Sequence, residues 1–349
     1  MMAGFGRLSG WMRGERSPRQ LFIAAAAVFL VFSAASSRTF PSVANLQSMG
    51  FQFPEMGLLG LGVMLSMVTG GIDLSMVAIA DLAGLTAAEF FHPMAGGAPP
   101  GGSWSQVVVG VTVALAVGAG CGAVNGLLIG GLRIPPILAT LATSELFGGL
   151  AIAWTGGQAI VGLPQRFLEI GNASPAGVPV PVVLFAVAAA ATAVLLNWRR
   201  LGLLMTLVGA NPVAAQSSGI RALSVLVGTY VASGLLAALA GVIIIARTAS
   251  ATPDYGQSYI LLSVVIAVLA GVDPNGGFGT VTGVVLATLC LVMIQAGFIG
   301  LGFSQFLYEI AQGGILIAVL SFQAARQGRR QEPQRRRGPA PAPPRSEAV

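Results

Sequence analysis

The sequence predicts an all-α, polytopic membrane protein of about ten transmembrane helices, some of them broken or re-entrant, with both termini in the cytoplasm. Three observations predict it. Of 349 residues, 55% are hydrophobic and only 9% are charged, where a soluble globular chain carries about 25% charged residues. Apolar runs recur at the length of about 20 residues that crosses roughly 30 Å of hydrocarbon. Arginines, finally, collect on every second connection between the runs. A β-barrel is excluded because the runs are continuous and rich in Leu, Ala and Gly, without in-and-out alternation.

The runs lie near residues 20–37, 54–70, 74–91, 104–129, 134–153, 178–197, 222–246, 258–271, 277–299 and 303–324. The first follows arginine-rich residues 7–19 and precedes small residues, a layout that imitates a signal peptide and is read as an uncleaved first span. The second and third meet at the break "GGIDLS". Pro135 and Pro136 open the fifth, where a missing N–H does no harm. The eighth is short enough to be a partial or re-entrant segment. A glycine-rich turn, "VDPNGGFG", separates it from the ninth. Three parts follow: a cytoplasmic N-terminal segment (1–19), one transmembrane domain (20–324) and a disordered, basic, Pro-rich cytoplasmic tail (325–349) with nothing apolar to bury.

The chain has no lysine, so orientation rests on its 18 arginines. With a cytoplasmic N-terminus, Arg7, Arg13, Arg16, Arg19, Arg133, Arg199, Arg200, Arg221, Arg326, Arg329, Arg330, Arg335, Arg336, Arg337 and Arg345 lie inside, against Arg38, Arg166 and Arg247 outside: 15 to 3. That asymmetry satisfies the positive-inside rule. The net charge of +6 therefore reports topology and implies no nucleic-acid partner. The tail arginines are placed to meet anionic membrane lipid or to stay solvated.

Missing residues exclude chemistries. Without lysine there is neither a Walker A loop nor a Schiff base. The single histidine, His92, at the outer end of the third run, rules out a multi-histidine metal site and reads as a surface residue. No G-x-S-x-G elbow or Cys/His ligand spacing occurs. Cys121 and Cys290 fall within spans, as small packing residues with no disulfide implied. An enzyme acting alone is not indicated.

Three breaks and one loop carry the information. In "TGGIDLS", Gly70 and Gly71 permit a sharp turn, and Asp73 occupies the cap position of a helix beginning at Leu74, with Ser75 beside it. A carboxylate there meets free amides and the positive helix end, which reads as structural; a role in the path or in coupling is the alternative. In "RIPPILATLATSELF", Thr140, Thr143, Ser144 and Glu145 form a polar stripe that is either a helix contact or a translocation surface. The turn "DPNGG" around Asp273 reads as turn chemistry rather than phosphate binding. The longest inner loop, "RRLGLLMTLVGANPVAAQSSGIR", has helix punctuation at its centre: Asn211 as cap, Pro212 first, Gly219 as terminator. So short a helix needs a docking partner, and it is placed to transmit that partner's motion.

These segments resemble the ribose-type sugar permeases of bacterial ABC importers, through "GGIDLS", "GAVNGLLIG" followed by Arg133 and "PPILATLAT", "TGGQAI", "GANPVAAQSSGI" and "ASGLLAALAGVIIIAR", in family order over about residues 40–324. The resemblance implies a multi-pass protein of the bacterial inner membrane. It implies that Gly209, Asn211, Pro212, Ala214, Ala215, Gly219 and Ile220 belong to the coupling helix gripping an ATPase. It further implies a second permease, identical or paralogous, a periplasmic substrate-binding protein, and a central path for a monosaccharide or small polyol. No cofactor is expected in this chain; ATP and Mg belong to the partner ATPase. The sequence departs from the family at Met76-Val77-Ala78, in the short basic approach of Arg199 and Arg200, and at Asp273-Pro274-Asn275. Candidate path residues are Asn125, Thr140, Thr143, Glu145 and Gln158. The rival reading is an ion-coupled secondary transporter using Asp73, Glu145 or Glu309.

Overall fold

A computed structural model describes residues 18–95, 102–318 and 321. The tail at 325–349 and all but the last two residues of the N-terminal segment at 1–19 lie outside the described residues. The protein is predominantly helical: α1 (Pro18–Ala35), α2 (Val43–Val68), α3 (Met76–Ala95), α4 (Trp104–Gly130), α5 (Pro136–Thr155), α6 (Gln165–Asn172), α7 (Val180–Trp198), α8 (Arg200–Ala210), α9 (Pro212–Ser217), α10 (Ala222–Thr248), α11 (Tyr259–Leu269) and α12 (Val281–Gly300). A further helix covers 305–318. The short strands β1 (Ile160–Val161) and β2 (Ser250–Ala251) pair antiparallel, Ile160 opposite Ala251.

Seven of these helices, α1, α2, α4, α5, α7, α10 and α12, are long and apolar enough to cross a membrane. The chain is a multi-pass membrane protein. Two helix starts and one loop differ from the sequence reading. α2 begins at Val43, not near residue 54, because Ser42 caps it, accepting from the Asn45 N–H at 3.3 Å. α3 begins at Met76 rather than Leu74. α11, short as the sequence reading expects, has 11 residues, about 16 Å of helix, half a bilayer. The long inner loop is itself helical: α8 occupies residues 200–210, ahead of the expected short helix.

α2 and α10 form the centre of the molecule, with 83% and 78% of their most apolar windows buried, against 11% for α1. Helices in lipid gain nothing from hydrophobic transfer against one another, so close approach through small residues decides which ones pack. α4 lies antiparallel along α10 on a stripe of glycines four residues apart. A Cβ at Gly118 would overlap the Gly234 carbonyl and one at Gly122 the Tyr230 carbonyl, while one at Gly126 would come within 2.5 Å of the Val227 Cα. The backbones therefore touch. Two features pin the end of the bundle where α10 finishes: Arg247 pairs with the fully buried Glu55 of α2, its Nη2 donating at 3.0 Å, and Asn172 of α6 donates to the Ala246 carbonyl at 2.7 Å.

Candidate functional site

The break after α2 is built from its own residues. Thr69 N–H and Gly70 N–H donate back to the Ser66 and Met67 carbonyls, and Gly70 turns the chain with φ +83°. Residues 71–75 then run without regular structure to α3. This irregular stretch is why the helix starts at Met76 and not directly after Asp73. The cap position falls to Ser75, whose carbonyl accepts from the Ile79 N–H at 2.9 Å.

Asp73 is instead the centre of a buried polar hub. It is 1% exposed. Its Oδ1 accepts from the Ser75 N–H at 3.0 Å and from Ser75 Oγ at 2.6 Å; its Oδ2 accepts from Ser233 Oγ of α10 at 3.0 Å. Asn125 Nδ2 of α4 donates to Ser75 Oγ at 2.7 Å, and Thr143 Oγ1 of α5 donates to Asn125 Oδ1 at 2.7 Å. Thr140 reaches the Ile72 carbonyl at 3.1 Å, and the Asp73 N–H donates to Ser66 Oγ of α2 at 3.2 Å. Four helices thus converge on five residues of irregular backbone. An unpaired polar group here would cost several kcal/mol in hydrocarbon, so the chain of partners fixes α4 and α5 against the break.

Of the expected path residues, Asn125, Thr140 and Thr143 belong to this hub. Glu145 and Gln158 do not. Both are exposed, as is Glu309. Helical phase explains Glu145: Thr140, Thr143, Phe147 and Ala151 are the buried face of α5, and position 145 lies about 200° around from 143. The hub's Ser66, Ser233 and neighbouring Tyr230, whose buried hydroxyl lies against Gly71, were not singled out from sequence. They approach from more than 150 residues away, or sit as ordinary small residues in apolar runs.

The loop expected to couple lies directly beneath the break. Asn211 Oδ1 caps α9, accepting from the Ala214 N–H at 3.0 Å, and Pro212 is its first residue. The helix closes as its punctuation predicts: Gly219 adopts φ +78°, and the Ile220 N–H donates to the Ala215 carbonyl at 3.1 Å. Ala215 is buried and fastens α9 to the body, while Val213 is 75% exposed. Just before the cap, Gly209 and Ala210 are wedged between the end of α2 and the turn 273–277. The Gly277 N–H donates to the Val68 carbonyl at 2.8 Å. A Cβ on Gly276 would lie 2.7 Å from the Gly209 carbonyl and 2.8 Å from the Gly70 N, and one on Gly277 would lie 3.0 Å from the Ala210 Cα. Asp273, in turn, holds that loop by accepting from the Asn275 N–H at 2.9 Å. Three segments singled out from sequence therefore meet backbone to backbone. The residues leading into α9 are thus in direct contact with the break.

Comparison with known proteins shows the family. Residues 45–320 match the family model described as the permease component of the branched-chain amino acid transport system. The chain is 31% identical over 315 residues to the ribose import permease protein RbsC of Escherichia coli strain K12, covering 89% of this chain and 94% of that protein. It is 35% identical over 273 residues to RbsC of Bacillus subtilis strain 168, covering 76% and 80%. The L-arabinose transport system permease protein AraH of Escherichia coli strain K12 is 29% identical over 309 residues, covering 86% and 89%. No solved structure matches the chain.

Proposed function

This chain belongs to the sugar permeases of the ABC transporters, and from that premise we propose that it is the membrane subunit of an ATP-driven importer for a monosaccharide or small polyol, in the bacterial inner membrane. It spans about ten times, with both termini and α9 on the cytoplasmic side. α9 is the coupling helix: Gly209, Asn211, Pro212, Ala214, Ala215, Gly219 and Ile220 shape it for a groove on a separate ATPase, which supplies ATP and Mg. A periplasmic substrate-binding protein delivers the sugar, and a second permease completes the path. The exposed Glu145 and Gln158 line that path, and the hub of Asp73, Ser75, Asn125, Thr140 and Thr143 holds the helix that carries Glu145.

One observation carries this reading. An exposed short helix is rooted in a glycine junction that touches the helix break, so force applied from outside the membrane reaches the helices around the hub. Two packed arrangements, exchanged when the partner closes, are the usual means of alternating access. The ion-coupled alternative is not favoured. Asp73 has both oxygens engaged by hydroxyl and amide donors, and Glu145 and Glu309 stand exposed rather than gathered in a site. The decisive experiment is reconstitution in liposomes. Uptake that requires ATPase, binding protein and ATP supports the proposal; uptake by the chain alone under a proton or sodium gradient overturns it.

A further inference from the structure

At the end of the bundle opposite α9, a cleft of about 640 Å³ opens between α4, α6, α7 and α10. Val111, Ile170, Val180, Leu184, Leu239 and Val242 line it, together with Trp104 and the polar Ser174. Its position follows from the α4–α10 packing: Gly130 meets Leu223 near the start of α10, so Trp104, the first residue of α4, lies level with the far end of α10. Within the apolar wall is one carboxylate, Glu169 of α6, half-buried and without a hydrogen bond or ion pair from its side chain among the described residues. One turn earlier, Arg166 is exposed and stacks over the Trp104 ring at 5.7 Å. The two opposite charges are three apart on one helix, yet they do not pair with each other.

We propose that this cleft is a specific phospholipid site, taking one acyl chain between α4 and α7 and a zwitterionic headgroup that carries an ammonium, as in phosphatidylethanolamine. Apolar walls cannot choose among lipids, because lipid tails are as apolar as the walls themselves. Selection therefore falls to the rim. Glu169 pairs with the ammonium, and Arg166 meets the phosphate while its guanidinium plane stays on the indole. Trp104 sits where an interfacial aromatic belongs, at headgroup depth. An anionic lipid would meet the same Arg166 but would be repelled by Glu169, so charge complementarity points to the zwitterion.

The test is native mass spectrometry of the full chain in mild detergent, with equal amounts of synthetic phosphatidylethanolamine and phosphatidylglycerol added. The first bound lipid on the wild type is expected to be phosphatidylethanolamine by about threefold to fivefold, the scale of a partly exposed ion pair. Glu169→Gln abolishes that preference and Glu169→Asp keeps it, while Leu184→Trp, which fills the cleft, reduces retention of both lipids. Far-UV circular dichroism monitors folding, and should Leu184→Trp fail to fold, the Glu169 pair still decides. Equal retention by the wild type, or a preference that survives Glu169→Gln, overturns the proposal. So does a disulfide-linked dimer formed by Glu169→Cys in native membranes, which would show the cleft covered by a second copy.

Discussion

The Val68 carbonyl oxygen occupies the space that a side chain on Gly209 would need. The last turn of α2 and the residue two before the α9 cap are thus in direct backbone contact, and the same carbonyl is already fixed by the Gly277 N–H. Gly209→Ala must push α8 away from α2. Overpacking of this kind costs about 1–3 kcal/mol, and the displacement falls at the root of α9. Sugar uptake is expected to drop at least tenfold while partner ATPase activity persists. Gly148→Ala, in open space on α5, should leave both rates unchanged. Parallel uptake and hydrolysis assays check this; equal uptake by both variants would remove the junction from the mechanism.

The punctuation of α9 gives a second expectation. Gly219 holds a left-handed conformation with open space around it, so Gly219→Ala costs roughly 1–2 kcal/mol of local backbone strain and loosens only the end of a six-residue helix. Pro212→Ala loosens the beginning. Both variants should reach the membrane at normal levels, with thermal melting close to wild type, and the partner ATPase bound to them should hydrolyse ATP while no sugar moves. Normal uptake in both would contradict the assignment of α9 as the coupling helix.

How much of this was legible in the sequence depends on the range of each interaction. Asn211, Pro212 and Gly219 announce α9 because caps and terminators act within a few residues. The break at Gly70 is legible for the same reason. α8 was hidden, because an 11-residue apolar helix in a loop is too short to register as a span and has no strong cap. The role of Asp73 was misread: from sequence it looked like a helix start, whereas its second oxygen is held by Ser233, 160 residues away. No local pattern encodes such a pairing. The glycines at 118, 122, 126 and 130 recur every fourth residue, the spacing of a close helix contact, but the sequence reading does not single them out.

Asp73→Ala removes the centre of the hub and leaves Ser75 and Ser233 hydroxyls facing a cavity. Losing a buried acceptor with its partners intact costs about 1–3 kcal/mol, and more in hydrocarbon, where no water replaces it. The expected result is a lower yield of assembled complex in the membrane, with the remaining complex transporting the same sugars in the same order of preference. Quantitative blotting and competition uptake separate the two effects. A changed sugar preference would place Asp73 in the path instead.

Gly122→Leu tests the α4–α10 contact. The Tyr230 carbonyl lies where the new Cβ must go, and backbone cannot yield as a side-chain tip can. The helices must separate, which also draws Asn125 away from Ser75. Loss of folded protein is expected, with melting lowered well beyond that of Gly120→Leu, whose side chain enters open space. Comparable melting of the two variants would show that the close approach is dispensable.

Glu55 and Arg247 join α2 to the end of α10, and the two partners differ in exposure: the Glu55 side chain is 0% exposed and that of Arg247 25%. Removing either leaves the other uncompensated, but not at equal cost. An orphaned charge with no route to water costs about 3–5 kcal/mol, whereas Arg247 retains a partly solvated guanidinium and can extend toward the membrane surface. Arg247→Ala should therefore destabilise more than Glu55→Ala, and the variant carrying both changes should recover part of the loss from Arg247→Ala alone. Thermal melting of the purified complex across the four members of this cycle gives the coupling. Additive losses, or a larger loss from Glu55→Ala, would mean that Glu55 is held by another group, of which the nearest is the Tyr259 hydroxyl at 3.5 Å.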